Sequence, residues 1–599
     1  MAQKNRTKEI WLIPKRVNLH QTVCLIDGIK ERGYDGKSWN ESKQNNLGVN
    51  LKKWGATRSG KNISSQAIRT LVASIPQYLG FLYINTETTP STICLTEAGQ
   101  KLWEKHRTDL VKVEKLVSGH NELITESDLV LLQMEKLQIT NPIINKDCEN
   151  IYVFPFRFML KVLLKLNYLD QEEIAYFLFK ARSDDEIDLV VNEIINFRNL
   201  KPIERKKMID IFKDTHIGNI TLVKAPSSVY YMSLCEITGT IEKYNIKPEN
   251  KESKISAIRI KDEYETYITE MLNSKYILSE AYDFKNDLRL WIDYFGDINR
   301  LYPPIDIEIF NGSEEDYLIL IKKDGRMKYG NLIESNCSVL YPAFINEEYI
   351  IQFISSEDGS LVCEQKIVPT FNQREFTIVS GQKGSVTKKV KSLENISENI
   401  LEHCSEKYFN KKTMEYLKIL ANITGDDKTR NSSLRGAFLE SYFYEMLTIL
   451  KNENIIDDVI WNGKKGDYGL PVQAPGGKTG TPDICFIIEN NHYVLELTTI
   501  KSKSTQFSAE GSSVPDHIRL YKEENKGKEV IGIFSAPIIH ERNVHIMQST
   551  ANSNGIVLIS LAIDKLLEIL LTKDRIKIEN MRLEFKERLE QNKLMFKEI

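Results

Sequence analysis

The apolar positions of this 599-residue chain change texture twice. Residues 10–30 mix apolar and basic side chains and lead into a helix expected over 17–32, stopped by Gly33. Residues 39–54 are polar and basic. Residues 63–79 predict a helix capped by Ser64 or Ser65 and ended or kinked by Pro76. A strand, a polar turn at Pro90, a second strand and a helix from about Thr96 should follow. Further on, 154–166, 171–181 and 184–196 read as helices, with Asp170 and Glu173 spaced as a helix start. Residues 220–246 read as strand and 262–278 as helix. From Leu301 the texture becomes short apolar runs separated by Gly, Asn, Asp and Ser, which predicts a small β-sandwich or barrel of about 80 residues. After Leu393 helices and strands alternate: helix 434–452, strand 455–461, glycine-rich loop 463–480, strands 484–488 and 493–497 joined by the turn 489–492, helix 514–524, strand 529–535, helix 540–551, strand 555–561, and helices 562–571 and 577–597. That alternation predicts an α/β domain with a central mixed sheet.

These textures divide the chain into 1–145, 146–300, a β-rich 301–380, a polar basic linker 381–392, and 393–599. The expected class is multidomain α+β. The helix–strand–turn–strand–helix order within 1–145 is that of a winged helix, and LTEAGQKL (95–102) resembles the strand-to-helix joint of such domains. Residues 146–300 suit a second helix-turn-helix unit or a plain helical bundle. Winged helices serve as protein-binding modules as well as DNA readers.

Composition adds little until it is localised. The chain is 41% hydrophobic and 27% charged with net charge −3. No apolar run approaches the ~20 residues of a membrane span. The start has no signal-peptide core, and the eight cysteines form no CxxC pairs, so a cytoplasmic setting is expected. Residues 1–61, however, carry thirteen Lys and Arg against five Asp and Glu, a basic end suited to a polyanion or simply a solvated surface.

The chemistry concentrates in 480–517. Asp483 heads one strand of the predicted hairpin and Glu496 lies in the other. Carboxylates among apolar strand residues are costly unless paired or metal-bound. Two of them on neighbouring antiparallel strands can share one Mg²⁺, which would neutralise a phosphodiester and activate a water. Thr498, Gln506, Glu510 and His517 follow. Cys485 reads as core. The loop 463–480 lacks the GK[ST] ending of a P-loop.

Pro482-Asp483…Glu496-x-Thr498 resembles the PD-(D/E)xK nuclease signature, with Thr498 where the lysine usually stands; Lys501 or Lys503 could reach a phosphate instead. The wider phrase, Glu496-Leu497-Thr498-Thr499, Gln506, Glu510 and Val514-Pro515-x-His517, resembles the core of AlwI-family type IIS restriction endonucleases, relatives of site-specific nicking enzymes. That resemblance spans 436–517. It implies a restriction-endonuclease-like C-terminal domain whose site comprises Glu440, Asp483, Glu496, Glu510 and His517, with Glu445 a weaker match than Glu440. Asp483, Glu496 and Glu440 would hold Mg²⁺ and His517 would assist proton transfer.

The implied activity is Mg²⁺-dependent hydrolysis of double-stranded DNA at a fixed distance from a short asymmetric site read by the N-terminal part. One site per chain implies a transient homodimer or a second subunit for double-strand cleavage, and a cognate DNA methyltransferase in the same system. A strand-specific nicking endonuclease, a repair nuclease reading DNA structure and a non-catalytic winged-helix regulator are the rival readings.

Overall fold

The computed structural model describes residues 10–581 except 15–17, 58–62, 87, 112–122, 145–147, 149, 213–226, 249–252, 286, 356–358, 379–391, 406–408, 467–468 and 476–480. Nearly all of the expected linker 381–392, the start of the 220–246 run and the end of the 577–597 helix therefore lie outside the described residues. The chain is a mixed α+β multidomain protein of two compact units, 1–305 with 342–345 and 306–341 with 346–599.

In the first unit, helix Leu19–Glu31 starts where Asn18 accepts the Gln21 N–H, and ends before Gly33 at φ +61°. The polar stretch 39–54 holds a helix, Glu41–Lys53, capped by Asn40. Its buried residues are Gln44, Leu47, Gly48, Asn50 and Leu51. The spacing is helical, but three of those five residues are not hydrophobic, which hides the period. Helix Ser65–Val72 follows, and Pro76 lies in a separate short helix, Ile75–Tyr78. Strands Leu82–Asn85 and Thr92–Leu95 pair antiparallel, and Lys37–Ser38 joins the outer side of the second.

One buried cluster runs through this unit from Ile10 to Phe344. Trp11 is fully buried; its indole N–H donates to the Ala181 carbonyl at 2.7 Å and its ring lies edge-on to Phe158. Lys136, also fully buried, donates to the carbonyls of Tyr294 and Asp297 at 3.0 and 2.6 Å. It thereby satisfies orphan acceptors at the end of helix Leu288–Phe295. Asp170 and Glu173 form a capping box.

The 220–246 run is corrected. Residues 227–236 form a helix, with strand Ile241–Ile246 only afterwards. Ser228, Tyr231, Met232 and Cys235 are buried at helical spacing, and this tertiary burial overrides the strand leaning of its aromatic residues.

In the second unit the β-rich segment forms a four-stranded antiparallel sheet from Tyr317–Lys323, Arg326–Ile333, Tyr349–Ser355 and Leu361–Ile367. Leu318, Leu320 and Ile354 of that sheet share a buried cluster with Leu417 and Leu420 of helix Lys411–Thr424 and with Leu434.

The later part of the unit is built on α1 (Ser432–Asn452), β1 (Asp458–Trp461), β2 (Ile484–Ile488), β3 (Asn491–Leu497), α2 (Lys503–Glu510), α3 (Ser513–Glu524), β4 (Glu529–Ala536), α4 (Glu541–Ser553), β5 (Val557–Ala562) and α5 (Ile563–Leu571). The strands lie in the order β1-β2-β3-β4-β5, antiparallel across the first two pairings and parallel across the last two. The turn of the β2–β3 hairpin is two residues long, because Ile488 pairs with Asn491 and Glu489 takes φ +56°; Asn491 and His492 belong to the strand. Ile484, Phe486, Tyr493, Leu495, Ile531 and Ile533 face α1 and α5, whereas Cys485, Val494, Val530 and Phe534 pack with Val514 and Ile518 of α3. Both faces are covered, as a sheet with parallel pairings requires.

A Cβ on Gly99, inside helix Glu97–His106, would lie 1.9 Å from the Phe81 carbonyl oxygen. Backbone cannot give way as a side-chain tip can. Gly99→Ala should therefore destabilise the first unit by about 1–3 kcal/mol, the usual cost of overpacking, read as a lowered thermal midpoint; an unchanged midpoint would refute this packing.

Candidate active site

The hairpin register sets the site. Ile484 pairs with Leu495, so Asp483 stands across from Glu496 and both side chains emerge on the α3 face. Asp483 is pinned at the head of β2: its carbonyl accepts the Asn462 N–H at 3.1 Å, and its Oδ2 accepts the Leu497 N–H at 2.8 Å. The Asn462 side chain donates to the Pro482 carbonyl at 2.8 Å. Glu496 is buried, takes the backbone N–H of Asp483 and lies with both oxygens 3.2 Å from His517 Nδ1.

Three further groups approach this pair. Glu440, buried on α1, accepts the Trp461 indole N–H at 3.2 Å and the Ala474 amide, and the Trp461 ring stacks on Tyr444 at 5.4 Å. Glu510 is the last residue of α2, a helix where the sequence suggested a polar loop. Its carboxylate takes the hydroxyl of the buried Thr498 and faces His517. His517, half-buried in the first turns of α3, completes the group.

Electrostatically the site is a set of carboxylates in want of a cation. Burial, then the charges of Glu496 and Glu440, push Asp483 well above the usual carboxylate range. Burial, then Glu510 and Glu440, does the same to Glu496. Glu440 is raised to about 7 by burial. Glu510 is raised by burial, against the Thr498 hydrogen bond and His517. His517 is lowered by burial, against the pull of Glu510 and Asp516. No Lys or Arg forms an ion pair with the four carboxylates among the described residues. Lys501 donates to the Ser405 carbonyl at 3.1 Å, Lys503 is exposed, and Glu445 pairs with Lys465 at 3.4 Å.

The donor set is all oxygen, which suits a hard divalent cation. Among the described residues no three or more His, Cys, Asp or Glu side chains form a ready-made ion cage. Two opposed carboxylates still fit Mg²⁺, which commonly takes one or two carboxylates and completes its shell from water and substrate phosphate.

Gln506 and Cys485 have other roles. Gln506 is fully buried and donates to the Ile500 and Ile538 carbonyls at 3.2 and 2.9 Å, fixing the chain after β3. The Cys485 thiol, pushed up to about 12 by burial, lies against the Tyr521 hydroxyl in the core. Trp461 and Asn462 were missed by the sequence reading. The available signal was an aromatic–amide pair at the end of a predicted strand, some twenty residues before Asp483.

The AlwI restriction endonuclease family profile matches residues 77–566 of this chain. No curated protein matches it. Among solved structures, the small subunit of the heterodimeric restriction endonuclease R.BspD6I is 17% identical, with 33% of this chain and 98% of that one covered at a TM-score of 0.23. Restriction endonuclease FokI is 10% identical, with 96% and 97% covered at 0.21. FokI bound to DNA is 10% identical, with 97% of each covered at 0.17. Likenesses at such scores carry no argument about the fold.

The carboxyl shifts have a signed consequence. A carboxyl whose folded value is raised holds its proton longer in the folded than in the unfolded state, so stability is lost as pH rises from the unfolded value to the folded one. For Glu440 that window is 4.5 to about 7. The metal-free protein should be less stable at pH 8 than at pH 5.5, and Glu440→Gln should recover on the order of 3 kcal/mol at pH 8. Thermal melts in chelator at both pH values check this; a variant curve with the wild-type slope would refute it.

Proposed function

The chain belongs to the AlwI restriction endonuclease family of site-specific DNA nucleases, and from that premise we propose a type IIS enzyme that cuts double-stranded DNA, with a divalent cation such as Mg²⁺, at a fixed distance from an asymmetric site. The observation that carries the reading is the Asp483–Glu496 pair, set side by side at the head of β2 and the end of β3, Glu496 buried and Asp483 half-buried, with no Lys or Arg ion pair among the described residues.

Residues 393–599 are the cutting part and the N-terminal regions, 1–145 and 146–300, the reading part, with 301–380 between them. The helix pair Glu41–Lys53 and Ser65–Val72, then the hairpin Leu82–Asn85 and Thr92–Leu95 with Lys37–Ser38 on its outer edge, has winged-helix order. The second helix leaves Gln66, Arg69 and Thr70 exposed, side-chain types that pair with base edges in a major groove.

At the site, Asp483 and Glu496 hold the cation and Glu440 stands by as a third carboxylate. The bound cation would supply Lewis acidity to the scissile phosphate and its attacking water. The proton side belongs to the chain. His517 Nδ1–H donates to Glu496, which leaves Nε2 as the acceptor. Its lowered pKa keeps the ring neutral at pH 7 and able to take a proton from water. Glu510, held by Thr498, faces His517 and steadies the imidazolium that results. One such site per chain makes a homodimer or second subunit necessary for double-strand breaks; otherwise the chain nicks. A cognate DNA methyltransferase is expected as host protection.

Run-off sequencing of mixed plasmid DNA after incubation with Mg²⁺ should reveal one recurrent break offset from one sequence. Asp483→Asn and Glu496→Ala should lose at least about a thousandfold in cleavage, and His517→Ala roughly 10²–10⁴-fold, all with sequence-specific binding retained. Linear product marks the paired enzyme and persistent open circles the nicking one; wild-type protein that never cuts sinks the proposal.

A further inference from the structure

A cleft of about 410 Å³ opens beside the site, lined by Ser502, Lys503, Ser504, Phe507, Arg542 and Asn543. Two helices begin at it. The caps of α2 and α4, Ser502 and His540, make no side-chain capping hydrogen bond. The first N–H groups of both helices are thus left without a side-chain acceptor, and two positive dipole ends meet in one place. The starts are locked together. Asn543 Nδ2 donates at 3.0 Å to both the Lys503 carbonyl and Gln506 Oε1, and His540 Nε2 lies 2.9 Å from the Lys501 carbonyl.

The side chains point to an anion. Lys503 and Arg542 are exposed and make no ion pair among the described residues. The acid in the first turn of α4, Glu541, turns back to His545 at 3.7 Å. Asn543 is only 2% exposed, so the join between the two helix starts is fixed from within. Phe507 presents a ring 41% exposed at the rim, a surface suited to a sugar. Cations, hydroxyls and free amides beside an apolar ring describe a phosphodiester backbone better than a free inorganic ion.

We propose that this cleft is a second DNA-backbone subsite, holding a phosphate of the strand that is cut one or two nucleotides from the scissile bond. The offset follows from α2 itself, which carries Lys503 at one end and Glu510 at the other. Seven residues at 1.5 Å span about 10 Å, and successive phosphates of one strand, which turn about the axis as well as rise along it, lie roughly 6–7 Å apart. Lys503 and Arg542 are positioning residues: they set where the strand lies across Asp483 and Glu496 and take no part in bond cleavage. The inference rests on the nuclease reading above.

The test is single-turnover cleavage, with Mg²⁺, of duplexes carrying one neutral methylphosphonate at each position around the cut, by the full-length protein and by Lys503→Ala/Arg542→Ala. Both residues are exposed, so the variant should melt as the wild type does. For the wild type, one position one or two nucleotides from the cut should slow the reaction roughly 10- to 100-fold, the scale of a lost hydrogen bond to a charged group. The variant should be slowed to a similar rate on native DNA and no further by that methylphosphonate, and Lys503→Arg should retain the wild-type response. A wild type that cuts but shows no such position, or a variant equally sensitive to it, overturns the subsite and leaves the nuclease reading standing. A wild type that does not cut overturns both.

Discussion

Everything in the C-terminal part of this protein depends on the cost of placing Asp483 beside Glu496. Two carboxylates stand on facing strands, Glu496 almost fully buried, and their charged forms oppose folding: burial and then Glu496 raise Asp483, and burial and then Glu510 and Glu440 raise Glu496. A pair of amides or apolar residues there would be cheaper. The surrounding structure works to hold the pair in place. Asn462 and Leu497 fix Asp483, the Asp483 N–H and His517 fix Glu496, and Trp461 fixes Glu440. Strain maintained by so many specific contacts is what a binding site for positive charge looks like before the charge arrives.

The sheet explains why the site lies where it does. β2 and β3 pair antiparallel and β3 and β4 parallel, so β3 is the strand on which the two modes of pairing meet. Its carboxyl end is open for the chain to leave into α2 and return through α3. Those two helices then bring Glu510 and His517 back to the strand that carries Glu496. The two faces divide the work. The α1 side is apolar except where Glu440 reaches the strand ends, and the α3 side turns from Val514 and Ile518 to His517 within one turn.

The hairpin was legible because β-rich apolar runs flank a short polar turn, and register alone then places Asp483 opposite Glu496. The helices over 41–53, 227–236 and 503–510 were not. In the first, glutamine and glycine sit on the buried face. In the second, tyrosine and serine blur the period. In the third, the buried anchor is one glutamine, Gln506, whose partners lie six and thirty-two residues away. Trp461 was invisible for the same reason: its significance lies in a contact with Glu440, twenty-one residues earlier on another element. Local pattern reports burial periodicity, and it is silent where a polar residue is buried for the sake of a distant partner.

The threonine in place of the usual lysine can be argued on these terms. A lysine at 498 would bring a positive charge to the carboxylates and relieve part of their repulsion. Thr498 instead is buried and gives its hydroxyl to Glu510, so it adds order without adding charge. The strand thus brings no positive charge of its own to the carboxylates. Exposed cations on the same helical framework include Lys503 and Arg542 at the starts of α2 and α4. On the proposed nuclease reading, a strand without lysine and cations at helix starts would separate two tasks that one residue would otherwise combine: holding the phosphate backbone, and neutralising the charge that develops as the bond breaks.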